Sequence, residues 1–297
     1  MYSSYKKCSL LLVAIGLAFL FWHFSQMQVT SVRFLDQRGA EHILSLSVKD
    51  KKRLFHFFWQ LFVEDNFAYP LVSTKPIAWA CFKNPFPFID SFTFYDSLKN
   101  HNQTLRLGWR TWEKYKHLFP SVAFWAEASK RHPGITYVLI ANKQNLNEVV
   151  VKNKKDFELV LGHEIIDGAQ LFEEALNHSL IDDTLKAHQA LLGIVLGYGR
   201  DNSWDFLKGI ETHHFLSCVW DEDTKQRQII RIREVATDLE TLIRILSCPS
   251  FAGHPHTEES LALKKEYLLA SERLASYYKN RDFLEATLSL LAGFQPP

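Results

Sequence analysis

The sequence predicts an α+β fold in three parts: an N-terminal transmembrane helix, a mixed α/β half with short strands, and an all-helical C-terminal half. Three observations support this division. An uncharged run begins at Cys8, segments rich in β-branched residues are confined to the chain before Asn153, and helix-capping pairs recur after it. The predicted parts are 1–28 (cytoplasmic tip and anchor), 29–153 (α+β subdomain) and 154–297 (helical subdomain).

The first predicted element is a signal anchor. Lys6 and Lys7 precede a stretch that carries no ionised side chain until Arg33. The 17 residues from Cys8 to Phe24 correspond to a helix of about 25 Å, which is at the short end of the spanning range and requires a little thinning of the bilayer. A cleaved signal peptide is the alternative, but the residues before Ser25 are bulky, whereas cleavage sites need small residues. We therefore expect contact with the lipid bilayer through residues 8–24.

The charges around this segment predict its orientation. Lys6 and Lys7 lie before it, and only Arg33 and Arg38 follow soon after it. Because cytoplasmic flanks carry the excess of positive charge, the N-terminus is expected in the cytoplasm and the bulk of the chain outside.

The cysteines of the outer part are Cys81, Cys218 and Cys248. They form no CxxC motif and no zinc-type spacing. The pattern fits either one disulfide with an odd thiol or buried, unpaired thiols that pack as small hydrophobic groups.

The half from 29 to 153 alternates predicted strands with helices. Short β-type segments are predicted at Val29–Leu35, His42–Val48, Lys75–Phe82, Ser121–Ala126, Ile135–Ala141 and Glu148–Lys152. The last two predict a hairpin, because ITYVLIA and EVVVK are β-branched runs joined by the turn-rich residues 142–147.

Apolar stripes predict the helices of this half. The stripes consist of Leu54, Phe55, Phe58, Leu61 and Phe62, and of Leu105, Trp109 and Trp112. Their helical spacing favours core packing over a ligand site. The stretch NPFPFIDSFTFY at 84–95 is either a buried loop or an exposed aromatic patch that would bind a partner, peptide or glycan.

After Asn153 the sequence predicts successive helices. The capping pairs are Asp167 with Gln170, Asn202 with Asp205, and Asp282 with Glu285. The apolar positions Ile232, Val235, Leu239, Leu242 and Leu246 predict one amphipathic helix. A final pair is expected over Thr257–Tyr278 and Asp282–Ala292, with Gly293 as the exit.

The segment LLGIVLGYGRDNSW at 191–204 raises the question of a phosphate-binding loop. Such a loop leaves a strand and enters a helix, whereas Asp183–Tyr198 predicts a buried helix. Gly197 and Gly199 are then expected to end this helix, and Asn202 to cap the next one. We therefore interpret the segment as helix, glycine turn, helix rather than a nucleotide site.

Three residues near this turn have a predicted role of their own. Gly193 is expected where a neighbouring element approaches the predicted helix closely. Arg200 and Asp201 flank the turn, either as a local ion pair or cap or as a pair that faces a ligand.

Composition and motifs count against several classes of function. Lys and Arg total 34 against 33 Asp and Glu, so the chain has no general field for holding nucleic acid. His213-His214 and His254-Pro255-His256 occur without an HExxH pattern, and GxSxG is absent from the sequence. We predict no nucleic-acid partner, no metal site and no cofactor, and the sequence assigns no catalytic residue.

Two segments carry a resemblance to other proteins. Phe67–Pro76 reads FAYPLVSTKP, and Ala190–Trp204 reads ALLGIVLGYGRDNSW. They are similar to segments of uncharacterised, often membrane-anchored or exported proteins of chlamydia-like intracellular bacteria, whose patterns are closer to AYTLFG-x-KP and LLGYGRxNAW. The departures are Pro70, Val72, Ser73 and Ser203. The resemblance implies a Gram-negative setting, in which the outside is the periplasm, and it carries over no activity and no functional residue.

The leading functional hypothesis is a single-pass inner-membrane protein whose periplasmic part binds a protein or peptide partner. The first alternative is a periplasmic hydrolase or transferase with a site between the two halves. The candidate binding residues for such a site are Tyr69, Lys75, Arg200 and Asp201. The second alternative is a secreted effector whose N-terminal segment is cleaved or serves as an export signal.

Overall fold

A computed structural model describes residues 37–84, 96–120, 122–165, 167–209, 214–216 and 249–294. Of residues 96–100 and 214–216 it describes the backbone only. Within these ranges, none of the helices combines the length and apolar character needed to cross a bilayer. The predicted anchor, the strand at Val29–Leu35, the aromatic stretch at 85–95, the helix around 232–246 and three of the four cysteines (Cys8, Cys218 and Cys248) lie outside the described residues.

The described chain is mostly helical. Its helices are α1 (37–44), α2 (Val48–Phe58), α3 (Tyr69–Val72), α4 (Asp96–Glu113), α5 (Lys143–Lys152), α6 (Lys154–Leu161), α7 (Gly168–Asn177), α8 (Gln189–Val195), α9 (Arg200–Leu207), α10 (Glu258–Tyr278) and α11 (Phe283–Leu291). Its strands are β1 (Ile77–Lys83), β2 (Ala123–Ala128), β3 (Ile135–Ala141), β4 (His214–Leu216) and β5 (Phe251–Gly253). Short helical turns cover Trp59–Glu64, Lys116–Leu118 and Leu180–Thr184.

The main sheet has three antiparallel strands in the order β1-β3-β2. Ala141 is aligned with Ile77 of β1 on one side and with Ala123 of β2 on the other. The sequence predicted all three strands to within a few residues, because each is rich in β-branched or aromatic side chains. The prediction of a mixed α+β fold is confirmed.

The predicted strand at His42–Val48 is wrong, because this segment contains the end of α1 and the start of α2. Ala40 and Ile43 are buried one helical turn apart. Ser47 then caps α2, since its side chain accepts a hydrogen bond from the backbone N–H of Asp50. The cap and the buried face outweigh the β propensity of the segment.

The predicted strand at Glu148–Lys152, and with it the predicted hairpin, is also wrong. The Asn142 side chain accepts a hydrogen bond from the N–H of Asn145 at 3.1 Å and starts α5 directly after β3. Leu146 and Val150 are buried at helical spacing, whereas Val151 is exposed. The three valines therefore belong to an amphipathic helix, and β3 pairs with β1 and β2 instead.

The main sheet separates two hydrophobic clusters. On β3, Val138 and Ile140 face the first cluster, while Tyr137 and Leu139 face the second. The first cluster includes side chains of α2, α4, α10 and α11, and the second includes side chains of α5, α6, α7 and α8. Each cluster therefore draws residues from both sides of Asn153.

The chain after Asn153 contains β structure as well as helices. β4 pairs antiparallel with β5, with Phe215 aligned with Ala252. The expectation of an all-helical C-terminal half is therefore wrong in this detail, because three-residue strands leave little periodicity to detect.

The helix starts of this part agree largely with the capping analysis. Asp167 accepts a hydrogen bond from the N–H of Gln170 at 2.9 Å, and Asp282 accepts one from the N–H of Glu285 at 3.0 Å. The final pair of helices occurs as predicted, as α10 and α11. Gly293 leaves α11 with a φ of +82°, which confirms it as the exit.

The single buried helix predicted over Asp183–Tyr198 is wrong. The segment contains a helical turn ending at Thr184, a bend at Lys186 and Ala187, and the shorter α8. Both bend residues have a positive φ, of 51° and 48°, and this interrupts the helix. His188 then caps α8 through Nδ1.

Candidate functional site

The glycine-rich segment is a tight turn between two packed helices. Gly197 and Gly199 have φ angles of +79° and +89°, a region that favours glycine. A Cβ on Gly193 would lie 2.5 Å from Oγ of Ser203, so α8 and α9 approach each other as closely as a glycine allows. The interpretation as helix, glycine turn, helix is confirmed, and so is the close approach at Gly193.

The predicted cap at Asn202 is wrong, because α9 begins at Arg200 and has no side-chain cap of its own. Asn202 lies in the first turn and is 2% exposed. Its amide nitrogen donates to the carbonyl of Tyr198, and its amide oxygen accepts from Oγ of Ser260.

A carboxylate from another helix caps α9 instead. Oε1 of Glu259 accepts the backbone N–H of Arg200 at 2.7 Å, and Oε2 accepts that of Asn202 at 3.0 Å. A Cβ on Gly199 would lie 2.5 Å from Oε2, so the glycine makes room for this carboxylate. The position that a phosphate occupies in an anion-binding loop is therefore filled by a residue of the chain itself.

The Arg200 side chain ties the start of α9 to α6. Its Nε and Nη2 donate to the carboxylate of Asp156 at 2.6 and 3.0 Å, and its Nη1 donates to Asp201 at 2.8 Å. The pKa of the guanidinium is raised, first by its hydrogen bonds to Asp156. A bidentate pair of this kind fixes the orientation of both side chains.

Lys75 lies beneath the same turn and is 3% exposed. Its Nζ donates a hydrogen bond to the carbonyl oxygen of Leu196. The ammonium group also lies 4.9 Å from the ring centre of Tyr198 and 5.9 Å from that of Tyr267. Burial lowers the pKa of Lys75 to about 7, because little in this environment replaces the water that solvates a charged amine.

Tyr69 is part of the buried aromatic group around Lys75. Its ring lies edge-on to that of Tyr267, with a centre-to-centre distance of 6.0 Å. Burial raises the pKa of Tyr69, and a hydrogen bond to Ser271 opposes this shift. The hydroxyl of Tyr267 donates to the carbonyl of Gly197 and so links α10 to the glycine turn.

A cleft of about 550 Å³ lies beside the glycine turn. Thr74, Pro76 and the C-terminal end of α5 form one side of it, and the first turns of α9 and α10 form the other. Its charged lining residues are Lys152, Arg200, Asp201, Asp205, Glu258 and Glu259. The cleft thus lies between chain segments from before and after Asn153.

The structure brings the four candidate residues to one region but gives them different positions. Arg200 and Asp201 line the cleft, whereas Tyr69 and Lys75 are buried beneath it. Sequence reasoning missed Glu258, Glu259 and Asn153 as lining residues. Thr257 does predict the start of α10, but no local pattern shows that this start meets α9.

The histidine loop lies next to α9. Nε2 of His254 is 3.8 Å from a carboxylate oxygen of Asp205. Within the described ranges, no three or more His, Cys, Asp or Glu side chains converge to hold a metal ion.

Comparisons with protein-family models, curated proteins and solved structures find no match.

Proposed function

We propose that this protein is a binding module, anchored in the inner membrane, whose periplasmic part holds a ligand in the cleft beside the glycine turn. The main support for this proposal is the presence of the cleft itself. Its volume of about 550 Å³ is in the range of sites for small molecules and short peptides. Its lining combines apolar contact surface with a few charged groups, as binding sites commonly do.

Hydrogen bonds across its walls preorganise the cleft. Glu259 joins α10 to α9, and Arg200 joins α9 to α6. Glu266 of α10 accepts the N–H of Thr74 at 3.3 Å and joins these two sides of the cleft. A ligand therefore meets walls that are already in place, which reduces the entropy lost on binding.

The same contacts favour binding over catalysis at this site. Lys75 and Tyr69 are buried, and the Arg200 side chain already forms hydrogen bonds with the carboxylates of Asp156 and Asp201. A hydrolase or transferase needs a nucleophile and a base that reach the substrate. Of the four candidate residues, Asp201 has the most exposed side chain, at 70%.

Thermal denaturation of the full-length chain in detergent, with and without a library of short peptides, amines and sugars, tests the cleft. We expect a subset to raise the melting temperature of the wild type. Ala262 is an exposed lining residue, so Ala262→Trp should fill the cleft and abolish this rise. Ser276→Trp is the matched control on an exposed position of α10 away from the lining residues. Equal responses of both variants, or no response of the wild type, would contradict the proposal.

The membrane location rests on the sequence at 1–28. Alkaline carbonate extraction should leave the full-length chain in the membrane fraction, and deletion of 1–28 should release it. Recovery of the full-length chain in the soluble fraction would exclude an anchor. An intact mass that lacks this segment would support the secreted alternative.

A further inference from the structure

We propose that α2 and α4 form a surface that faces the membrane, and that the pocket between these two helices binds the phosphate group of an anionic phospholipid. This inference rests on the membrane anchoring in the proposed function. It adds a second site, which is separate from the cleft beside the glycine turn.

The region around α2 and α4 is basic, although the chain as a whole is balanced at 34 Lys and Arg against 33 Asp and Glu. The cations of residues 48–58 and 101–118 are Lys49, Lys51, Lys52, Arg53, Arg106, Arg110, Lys114 and Lys116, and the only carboxylates of these two ranges are Asp50 and Glu113. Asp50 already accepts a hydrogen bond from the hydroxyl of Tyr115 at 3.2 Å. A local excess of positive charge attracts anionic surfaces, and the surface of a membrane that contains anionic lipids is one of these.

A pocket of about 250 Å³, the α2–α4 pocket, lies within this basic region. Its lining residues are Arg53 and His56 of α2 and Gln103, Thr104, Leu107 and Gly108 of α4. Each polar side chain among them offers an N–H or O–H donor, and no carboxylate of the described residues lines the pocket. The guanidinium of Arg53 lies 3.9 Å from Asp50, which is too far for a hydrogen bond. The pocket is therefore complementary to an oxyanion such as a phosphate.

The close packing of the two helices fixes the positions of these donors. A Cβ on Gly108 would overlap the side chain of Phe57, so α2 and α4 approach each other as closely as a glycine allows. Phe57 is fully buried at this contact. The two sides of the pocket are therefore in place before a ligand arrives, which reduces the entropy lost on binding.

The position of α2 in the chain indicates a lipid as the source of the phosphate. The predicted anchor ends at Phe24, and the 12 residues from 25 to 36 span about 40 Å when fully extended. α1 begins within this distance of the bilayer and leads directly to α2, so the tether raises the effective concentration of lipid headgroups at the pocket.

The first residue of α2 supports the same assignment. Val48 is 83% exposed, and it is followed by the exposed Lys49. An apolar side chain beside lysines suits the interface of a bilayer, where the apolar group enters the headgroup region and the ammonium groups stay in water.

The test is thermal unfolding of the full-length chain in nanodiscs of two compositions, phosphatidylcholine alone and an equal mixture with phosphatidylglycerol. We expect the anionic lipid to raise the melting temperature of the wild type by about 3 °C, and added salt to remove most of this rise. Inorganic phosphate separates a lipid from a free anion. It should have no effect in phosphatidylcholine, because no tether raises its concentration at the pocket. A rise with inorganic phosphate that Arg53→Gln abolishes would overturn the lipid as the source.

Two substitutions connect the lipid effect to the pocket. Arg53→Gln should remove most of the rise, and Thr104→Trp should do the same because it fills the pocket without a change of charge. Arg110→Gln is the matched control, an exposed arginine of α4 that does not line the pocket, and it should keep most of the rise. Each variant is compared with itself in the two lipids, so a change in its basal stability does not alter the result.

The outcomes separate this inference from the proposed function. Equal losses in Arg53→Gln and Arg110→Gln would show a diffuse attraction to the bilayer and would overturn the pocket as a site. Equal melting temperatures of the wild type in both lipids would overturn the whole inference, and the anchor would stand if the chain still resists carbonate extraction. A full-length chain that carbonate releases into the soluble fraction would refute the anchor and, with it, the tethered lipid contact.

Discussion

The carboxylate of Glu259 accepts the backbone N–H of Arg200 at 2.7 Å, and this contact joins two helices whose sequences are far apart. A helix N-terminus leaves N–H groups without partners and carries a partial positive charge. Here a single side chain supplies both the missing acceptors and the negative charge. The turn therefore has the geometry of an anion-binding site, but the anion it binds is a carboxylate of the same chain. We conclude that the function of the turn is structural.

Removal of this carboxylate should destabilise the fold. We expect Glu259→Ala to lower the free energy of unfolding by about 1–2 kcal/mol, because two backbone donors lose their acceptors. Glu258→Ala, the adjacent exposed position, should change it by less than about 0.5 kcal/mol. Denaturant unfolding of the full-length chain in detergent measures both. If Glu259→Ala lowers the free energy of unfolding no more than Glu258→Ala does, the stabilising role of the cap is contradicted.

Phosphate, ATP and NAD should leave the melting temperature of the wild type unchanged, because Glu259 occupies the anion position. Added acetate should recover part of the stability lost in Glu259→Ala. A ligand-induced rise in the wild type that Arg200→Gln abolishes, without loss of basal stability, would indicate a true anion site.

Gly199→Ala should destabilise more than an ordinary change at a left-handed glycine. The new methyl group would meet both an unfavourable φ and the Glu259 carboxylate, so we expect a loss of about 2 kcal/mol or more. Gly162→Ala is the matched control, since Gly162 has a φ of +75° and open space around it. Its cost should be about 1 kcal/mol. Thermal melts that show no difference between the two variants would contradict the close contact.

The pKa of Lys75 predicts a pH dependence of stability. Burial lowers it to about 7, so between pH 7 and its ordinary value the unfolded chain binds more protons than the folded one. Stability should therefore rise with pH in this window. Tyr198 and Tyr267, which face Lys75, have raised pKa values and stay protonated there.

Lys75→Met isolates this contribution. Relative to the variant, the wild type should gain on the order of 2 kcal/mol between pH 7 and pH 9, because the free-energy cost of burying Lys75 shrinks as the unfolded chain also loses its proton. Denaturant unfolding of wild type and variant at pH 7 and pH 9 gives the change in the free energy of unfolding with pH for each protein, and the two changes are then compared. Parallel pH profiles would show that Lys75 does not titrate in this range.

Asp65 should show the opposite trend. Burial raises its pKa to about 7, with a smaller effect of Glu64, and its Oδ2 is buried without a hydrogen bond from the described residues. The folded chain therefore binds more protons than the unfolded one between the ordinary pKa and 7, so stability should fall as pH rises through this range. Asp65→Asn should raise the free energy of unfolding at pH 8 by on the order of 1–2 kcal/mol, and much less at pH 4. An equal effect at both pH values would count against this explanation.

The elements that the sequence predicts well are those with local causes. The strands around Ile77, Ala123 and Ile135 have β-branched or aromatic runs, and the caps at Asp167 and Asp282 bond within three residues. Local chemistry alone decides such features.

The failures of the sequence analysis have a common physical reason. The valines of α5 have β propensity, but Leu146 and Val150 are placed in a core that also includes Phe172, Leu191 and other residues remote in sequence. Likewise, Asn202 is a residue type that favours the N-cap position, but the side chain that caps α9 is Glu259 of another helix. Tertiary packing decides these cases, and the same holds for the cleft, whose two walls come from distant segments.

The packing of α2 against α11 means that α2 cannot complete its core until the C-terminal helix has been translated. Phe55 of α2 and Trp59 of the helical turn that follows it contact Phe283, with ring centres 5.4 and 5.3 Å apart. A ribosome releases the chain from its N-terminus, so the aromatic face of α2 emerges long before its partner has been translated. A chaperone must cover this face in the interval, or it stays in water and is prone to aggregate. A nonsense mutation upstream of Phe283 would make that exposure permanent, and such truncated chains should be degraded rather than accumulate.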